Sequence, residues 1–316
     1  MKKIRKVIFQ NSLAQSLKGW SQRNTLPGFD GVPMYDVFSF TLMEFKRDAL
    51  SVRAASIAFR FLLSMFPAML VIFTIIPFIP IDGFGTSLLN QLKAIMPHDA
   101  FSLISSSISE IMTKQHSGVL TIGIVMSLNF SVGAVMNMMN SFDKAYSGFR
   151  KRTGTEKILV ALKITALLFL LFFISVALVI LGGKLIHWLM TLMHAKSSLT
   201  YWSFQIMKWI TIVFTFYLGI SLIYFYGPAV HARWRFFSAG STLAALLSIL
   251  VSVLFSIFVN NFSRFNQIFG SIGTFIVIML WMFYNALALL IGFELNASID
   301  INKRRIDEKK FLEEAE

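Results

Sequence analysis

"FNQIFGSIGTFIVIMLWMFYNALALLIGF", Phe265 to Phe293, runs for 29 residues without a charge. Glu294 follows at once, beside Gly292 and two residues before Asn296. Roughly 20 helical residues cross the ~30 Å of hydrocarbon in a bilayer, so this run is long enough to span one. Five more uncharged runs of at least 20 residues precede it: Phe61–Ile81, Ser117–Phe142, Ile164–Gly183, Trp209–Val230 and Phe236–Ser263. Lipid offers backbone amides no partners, so such runs must be helices. They also lack the alternation of barrel strands. The sequence predicts an all-α integral membrane protein with six transmembrane helices, at about 56–80, 118–142, 160–183, 207–228, 236–260 and 270–295.

Composition agrees. The 316 residues are 56% hydrophobic and 14% charged, where a soluble domain carries about 25% charge. Lys and Arg set the orientation. Twenty-one of them fall before the first span, in the second-to-third and fourth-to-fifth loops, and in the tail; the other three loops hold five. Both termini are therefore expected in the cytoplasm. The net charge of +13 reads as a topology signal and an attraction to anionic headgroups. Membrane lipids are the expected partners, and no nucleic acid is. The start, "MKKIRKVIFQNSLAQSLKGW", lacks the apolar core of a cleavable signal peptide. Without cysteine there is no disulfide and no thiol chemistry.

Residues 1–53 form a basic region preceding the 54–299 membrane domain, and 300–316 form a charged tail. Ile4, Val7, Ile8, Leu13, Leu17 and Trp20 make an apolar stripe among lysines, either a frayed tail or an interfacial helix. "TLPGFDGVP", Thr25–Pro33, reads as a turn-rich linker. Tyr35, Phe38, Leu42, Phe45, Ala49 and Val52 recur at helical spacing and predict an amphipathic helix leading into the first span. On the far side, the Asp82–His116 loop predicts two short amphipathic helices broken at Pro97, and Lys184–Lys208 is a second mixed segment.

Function in such a bundle is sought where polar groups are buried. Ser56, Arg60 and Ser64 lie four apart on one face of the first span, with Pro67 beyond. Arg60 either faces the interior or snorkels to the headgroups. The second span carries Asn129, Asn137 and Asn140, then Asp143 at its end. Their amides need protein or water, through helix-to-helix bonds or a solute pathway. In the fifth span Gly240, Ala244, Ser248, Ser252, Ser256, Asn260 and Arg264 are each four apart. Such a ridge suits close helix packing, a homo-oligomer contact or a hydrated seam. In the sixth, Asn285, Ala288, Gly292 and Asn296 share a face. Glu294, near the negative end of that helix's dipole, calls for a cation. Arg60, Arg233 and Arg235 are the candidates, and coupling to a proton or cation is a second reading.

Catalysis has little to draw on. The five histidines lack ligand spacing, no phosphate-binding or dinucleotide loop is present, and no nucleophile elbow occurs. No metal, no cofactor and no enzymatic activity are expected.

"YGPAVHARWRFFSAGSTLAALL" and "FGSIGTFIVIMLWMFYNALALLIGFELNASI" resemble the YihY/BrkB family of bacterial inner-membrane proteins. The resemblance rests on Tyr226, Gly227, Pro228, Trp234, Arg235, Gly240, Gly270, Ser271, Leu280, Trp281, Ala286, Leu290, Gly292, Glu294 and Asn296. At the front, "AASIAFRFLLSMFPAML" looks like the family's first span at Ala54, Ala55, Ala58, Phe59, Ser64 and Pro67, and departs from it at Arg60. The resemblance covers roughly Glu44 to Ile299. It implies an inner-membrane protein of six helices, in a family that has carried ribonuclease BN, virulence and transport labels. The expected function is a carrier, of transporter or flippase type, for a lipidic or amphiphilic envelope solute. A non-transport scaffold is the alternative, with a membrane ribonuclease third. The carrier predicts a polar cavity bounded by Arg60, Asn137 and Glu294; the scaffold predicts dry packing there.

Overall fold

The computed structural model describes residues 19–47, 49–75, 117–143, 148–192, 197–261 and 263–315. The stripe from Ile4 to Leu17 and the helices expected between Asp82 and His116 lie outside these residues. Seven long helices make up most of the rest: α1 Met34–Arg47, α2 Leu50–Ile75, α3 Ser117–Ser141, α4 Gly154–Leu192, α5 Ser197–Tyr226, α6 Ala239–Asn261 and α7 Ser263–Ala315. The described residues hold no sheet, only an isolated antiparallel bridge between Phe149 and Val230.

Helices α2 to α7 each contain a stretch long and apolar enough to cross a membrane. In α4 only 17% of that stretch is buried within the protein. Leu170, Phe173 and Leu181 stand exposed along it. Apolar side chains turned outward at this density need a solvent other than water. The chain is an all-α integral membrane protein with six spans.

The spans form a ring in chain order. Each packs against the next, from α2 to α7, and α7 returns to α2. Neighbours run antiparallel, as their facing pairs require: Ser56 with Asn137 and Val71 with Gly123 across α2/α3, and Gly240 with Gly292 and Ser252 with Trp281 across α6/α7. The closest crossing is α6 on α7. A Cβ on Gly240 would strike the Gly292 carbonyl, and one on Gly292 would strike the Gly240 carbonyl. The four-spaced ridge of α6 is thus spent within the chain: Ala244 and Ser248 are buried, and Ser252 accepts the Trp281 indole N–H at 3.2 Å.

Local chemistry sets several helix ends. Ser238 and Ser241 cap α6 reciprocally: Ser241 N–H donates to Ser238 Oγ at 3.1 Å and Ser238 N–H to Ser241 Oγ at 3.0 Å. Thr153 Oγ1 accepts the Glu156 N–H at 3.3 Å before α4. The carboxyl end of α5 is closed by Arg152. Its guanidinium donates to the carbonyls of Tyr226 (2.9 Å), Gly227 (2.6 Å) and Pro228 (3.0 Å), groups that helix geometry leaves without partners. Burial, and then the charge of Arg150, hold the Arg152 pKa below the ordinary arginine value.

One end of the ring, here the base, carries an extra layer. Two expectations are corrected there. "TLPGFDGVP" is no linker: Phe29 and Val32 are buried and pack with Val37, Leu295 and Ile299. Left-handed φ angles at Gly28 (87°), Asp30 (50°) and Gly31 (85°) fold the segment back. Its Asp30 carboxylate meets Lys303 at 3.1 Å and Arg235 at 3.5 Å. The tail is no separate element either, since α7 continues unbroken to Ala315. Ser298 Oγ donates to the Val37 carbonyl at 2.8 Å, tying α7 to α1. Lys184 and Lys208, which looked like span ends, lie inside α4 and α5. A long charged side chain marks a depth in the membrane without ending a helix.

Candidate functional site

The middle of the ring is hollow. A cavity of about 410 Å³ touches all six spans. Helix periodicity supplies its walls, since residues four apart share a face. Trp281, Asn285 and Leu289 face it from α7, Thr215, Gly219 and Ile223 from α5, and Ile57, Ala58 and Phe61 from α2. Met138 of α3, Leu168 and Phe172 of α4, and Ser248 of α6 complete the circuit. No charged residue lines it. Phe172 and Phe216, both on the wall, are also exposed, so the cavity communicates with the α4/α5 surface.

One polar atom stands out. Asn285 Nδ2 donates to the Trp281 carbonyl one turn back at 2.8 Å, while Oδ1 is buried without a hydrogen-bond partner among the described residues. Leaving an acceptor unmet costs about 1–3 kcal/mol.

One turn nearer the base, aromatic rings close the hollow. Phe142 and Phe293 stack at 4.5 Å, Tyr224 meets Phe142 edge-on at 6.0 Å, and Trp234 lies 5.7 Å from Phe293. Phe142, Tyr224 and Phe293 are among the most buried side chains described. The Tyr224 hydroxyl donates to the Leu289 carbonyl, joining α5 to α7 across the plug.

Most of the polar residues expected to bound a cavity serve elsewhere. Asn137 Nδ2 donates to Ser56 Oγ at 3.1 Å, fastening α3 to α2. Lys157 takes both Asn140 (2.9 Å) and Asp143 (2.7 Å). Asn296 accepts the Gly240 N–H at 2.8 Å and donates to Ser238 Oγ at 2.7 Å. Ser64 donates to its own helix at Phe61, and buried Pro67 lies within α2 without ending it. Asn129 is exposed and lines a separate groove with Gly133, Met136 and Ile158. Arg60 is exposed, lies beside Gly133 and is absent from the cavity wall. The Asn260 side chain lies outside what the structure describes. Of the expected set, Asn285 alone lines the central cavity, and Ser252 touches it through Trp281.

The partner expected for Glu294 is also corrected. Its carboxylate is 1% exposed, and the cation facing it is Arg53, with Nη1 3.8 Å from Oε1. Antiparallel register decides this: Arg53 stands at the base, whereas Arg60 is about 10 Å further along α2 at 1.5 Å per residue. Arg233 lies over the Phe225 and Tyr226 rings, at 5.4 and 5.7 Å, and Arg235 reaches Asp30. Arg53, Arg152 and Asp30 carried no signal in the sequence beyond their charge, because their partners are remote in the chain.

A family model for virulence factor BrkB matches residues 41–315. The chain belongs to the virulence factor BrkB family. Among its relatives is a putative ribonuclease-like protein, YfkH, of Bacillus subtilis (strain 168), 26% identical over 260 residues that cover 82% of this chain and 93% of the relative. A UPF0761 membrane protein of Psychromonas ingrahamii is 20% identical over 84% of this chain and 88% of its own length. Another, from Tolumonas auensis, is 31% identical over a shorter stretch, 26% of this chain and 27% of its own. No solved structure gives a significant match.

Proposed function

We propose that this BrkB-family protein is a carrier for a lipidic or amphiphilic solute, set in the bacterial inner membrane with its base toward the cytoplasm. The observation that carries the reading is the closed ring of six spans around an apolar hollow. Helix association in lipid favours tight contact, and this bundle makes such contact at Gly240/Gly292 while remaining open at its centre. Pockets of a few hundred Å³ with apolar walls and few polar groups are typical of small-molecule sites. The aromatic plug is the natural closure on the base side, and the basic residues around α1 and α7 favour that side as cytoplasmic.

A scaffold is the second reading, favoured by the engagement of Asn137, Glu294 and Asn296 in contacts between helices. A nuclease would need a metal site or a nucleophile with its base. Among the described residues no three His, Asp or Glu gather at metal-binding spacing.

Reconstitution in liposomes tests the carrier reading against Gly219→Leu. A Cβ at Gly219 would meet Leu168 and Leu171 at 3.6–3.7 Å, ordinary contact distances, so the variant narrows the hollow without a backbone clash. Wild type is expected to move fluorescent single- and double-chain lipids faster than protein-free vesicles, and the variant to slow that movement. Equal rates with and without protein across the panel would overturn the reading.

A further inference from the structure

The chemistry of the wall narrows the solute further, resting on the carrier reading only for the step of movement. Trp281 O is a backbone carbonyl and can only accept, so the Asn285 amide must turn its nitrogen toward it. The oxygen is thereby left to the cavity, buried and unpartnered. A ligand that completes this site brings a donor. Thr215, the wall's hydroxyl nearest the α4 side, already donates to Ser175 at 2.9 Å.

Charge is excluded by the same wall. No Lys, Arg, Asp or Glu lines it, and an ion without a counter-charge in such surroundings is expelled or neutralised. Size gives the third constraint. At roughly 30 Å³ for each water-sized group, 410 Å³ holds on the order of a dozen heavy atoms, one alkyl chain and not two. Water is a poor occupant, because it needs two to four polar partners and one free acceptor is offered.

We infer that the cavity binds a neutral single-chain amphiphile of the long-chain alcohol class, its tail among Phe61, Leu168 and Ile223 and its hydroxyl donating to Asn285 Oδ1. A charged lipid of the same length binds elsewhere.

Trp281 reports on this directly, since it lies in the wall and bromine quenches indole fluorescence only at short range. The chain holds 6 Trp, so the difference between wild type and Trp281→Phe isolates its signal. In nanodiscs, bromododecanol is expected to quench the Trp281 component saturably, and bromododecanesulfonate to leave it unchanged. Asn285→Leu should weaken bromododecanol about tenfold, the worth of one hydrogen bond, while bromododecane binds as well as before. Equal quenching by alcohol and sulfonate would overturn the inference, as would an unchanged alcohol affinity in Asn285→Leu. Should that variant not fold, the order of alcohol, alkane and sulfonate on wild type decides alone: the alcohol must bind tightest. Selective alcohol binding without vesicle transport would sink the carrier reading and leave this inference standing. Transport of charged lipids without any alcohol preference would do the reverse.

Discussion

Gly240→Ala puts two familiar effects in opposition. In an isolated helix alanine is better than glycine by about 1 kcal/mol, so propensity alone predicts a stabilised α6. The crossing with α7 predicts the opposite. A methyl at residue 240 would collide with the Gly292 carbonyl and lie 2.6 Å from Asn296 Oδ1. Backbone cannot rotate away as a side chain does, so the helices must separate. Overpacking of this kind costs about 1–3 kcal/mol. Separation also strains the Gly240 N–H to Asn296 bond (2.8 Å) and the Asn296 to Ser238 bond (2.7 Å), each worth about 1 kcal/mol. Losses of about 2–5 kcal/mol against a gain of about 1 leave a net destabilisation of about 1–4 kcal/mol. The assay is reversible unfolding in mixed micelles, with Gly240→Ala, Gly292→Ala and the double variant compared. The double variant should fall well short of the sum, because either methyl already forces the gap. A Gly240→Ala protein as stable as wild type, or more stable, would refute the backbone contact and with it the arrangement of α6 on α7.

Arg53→Gln should destabilise more than Glu294→Gln, by about 1–3 kcal/mol, because it strands a carboxylate that is 1% exposed whereas the second change removes the charge; chemical denaturation of both and of the double variant checks the order. Arg152→Lys should cost about 2–4 kcal/mol, since a point-like ammonium cannot serve three carbonyls at once. A base whose folded pKa lies below its unfolded one costs stability while charged, and that cost lifts only as the pH rises to the lowered value. For an arginine this lies at the alkaline extreme, so the wild-type minus Arg152→Lys difference should be flat between about pH 5 and 9; a slope there would contradict the assigned contacts. Because the chain has no cysteine, a single Cys at Ser21 or at Ala315 is a unique label, and both should react with impermeant maleimide only after the inner membrane is opened; reaction of either in intact spheroplasts would reverse the proposed orientation.

The sequence disclosed the spans because lipid imposes a one-dimensional rule: a helix must stay apolar for the thickness of the hydrocarbon. Phe265–Phe293 obeys it so fully that no tertiary knowledge was needed. The polar stripes were legible as places of burial, and Asn137, Asn285 and Asn296 do face protein. Their partners were not legible. Which arginine meets Glu294 depends on antiparallel register across two helices separated by more than 200 residues, and register leaves no mark on either strand of text alone. The hollow was hidden for a related reason. Its walls are Phe, Leu, Ile and Gly at ordinary helical spacing, the same letters that elsewhere face lipid, so composition cannot tell a cavity wall from an outer surface. "TLPGFDGVP" misled because its turn residues are genuine; Phe29 and Val32 between them were the sign of a buried fold-back.

The continuity of α7 has a mechanical consequence. Between Phe293 and Ala315 the helix contains neither glycine nor proline, the usual points at which helices bend, so this length moves as a rod. From Gly292, where α6 bears on it, to Ala315 is about 35 Å at 1.5 Å per residue. With that contact as fulcrum, a tilt of about 5° sweeps the far tip through about 3 Å. That is enough to part Lys303 from Asp30, which stand 3.1 Å apart. A small swing beside Asn285 is thus geared up into a making or breaking of bonds at the opposite pole of the molecule.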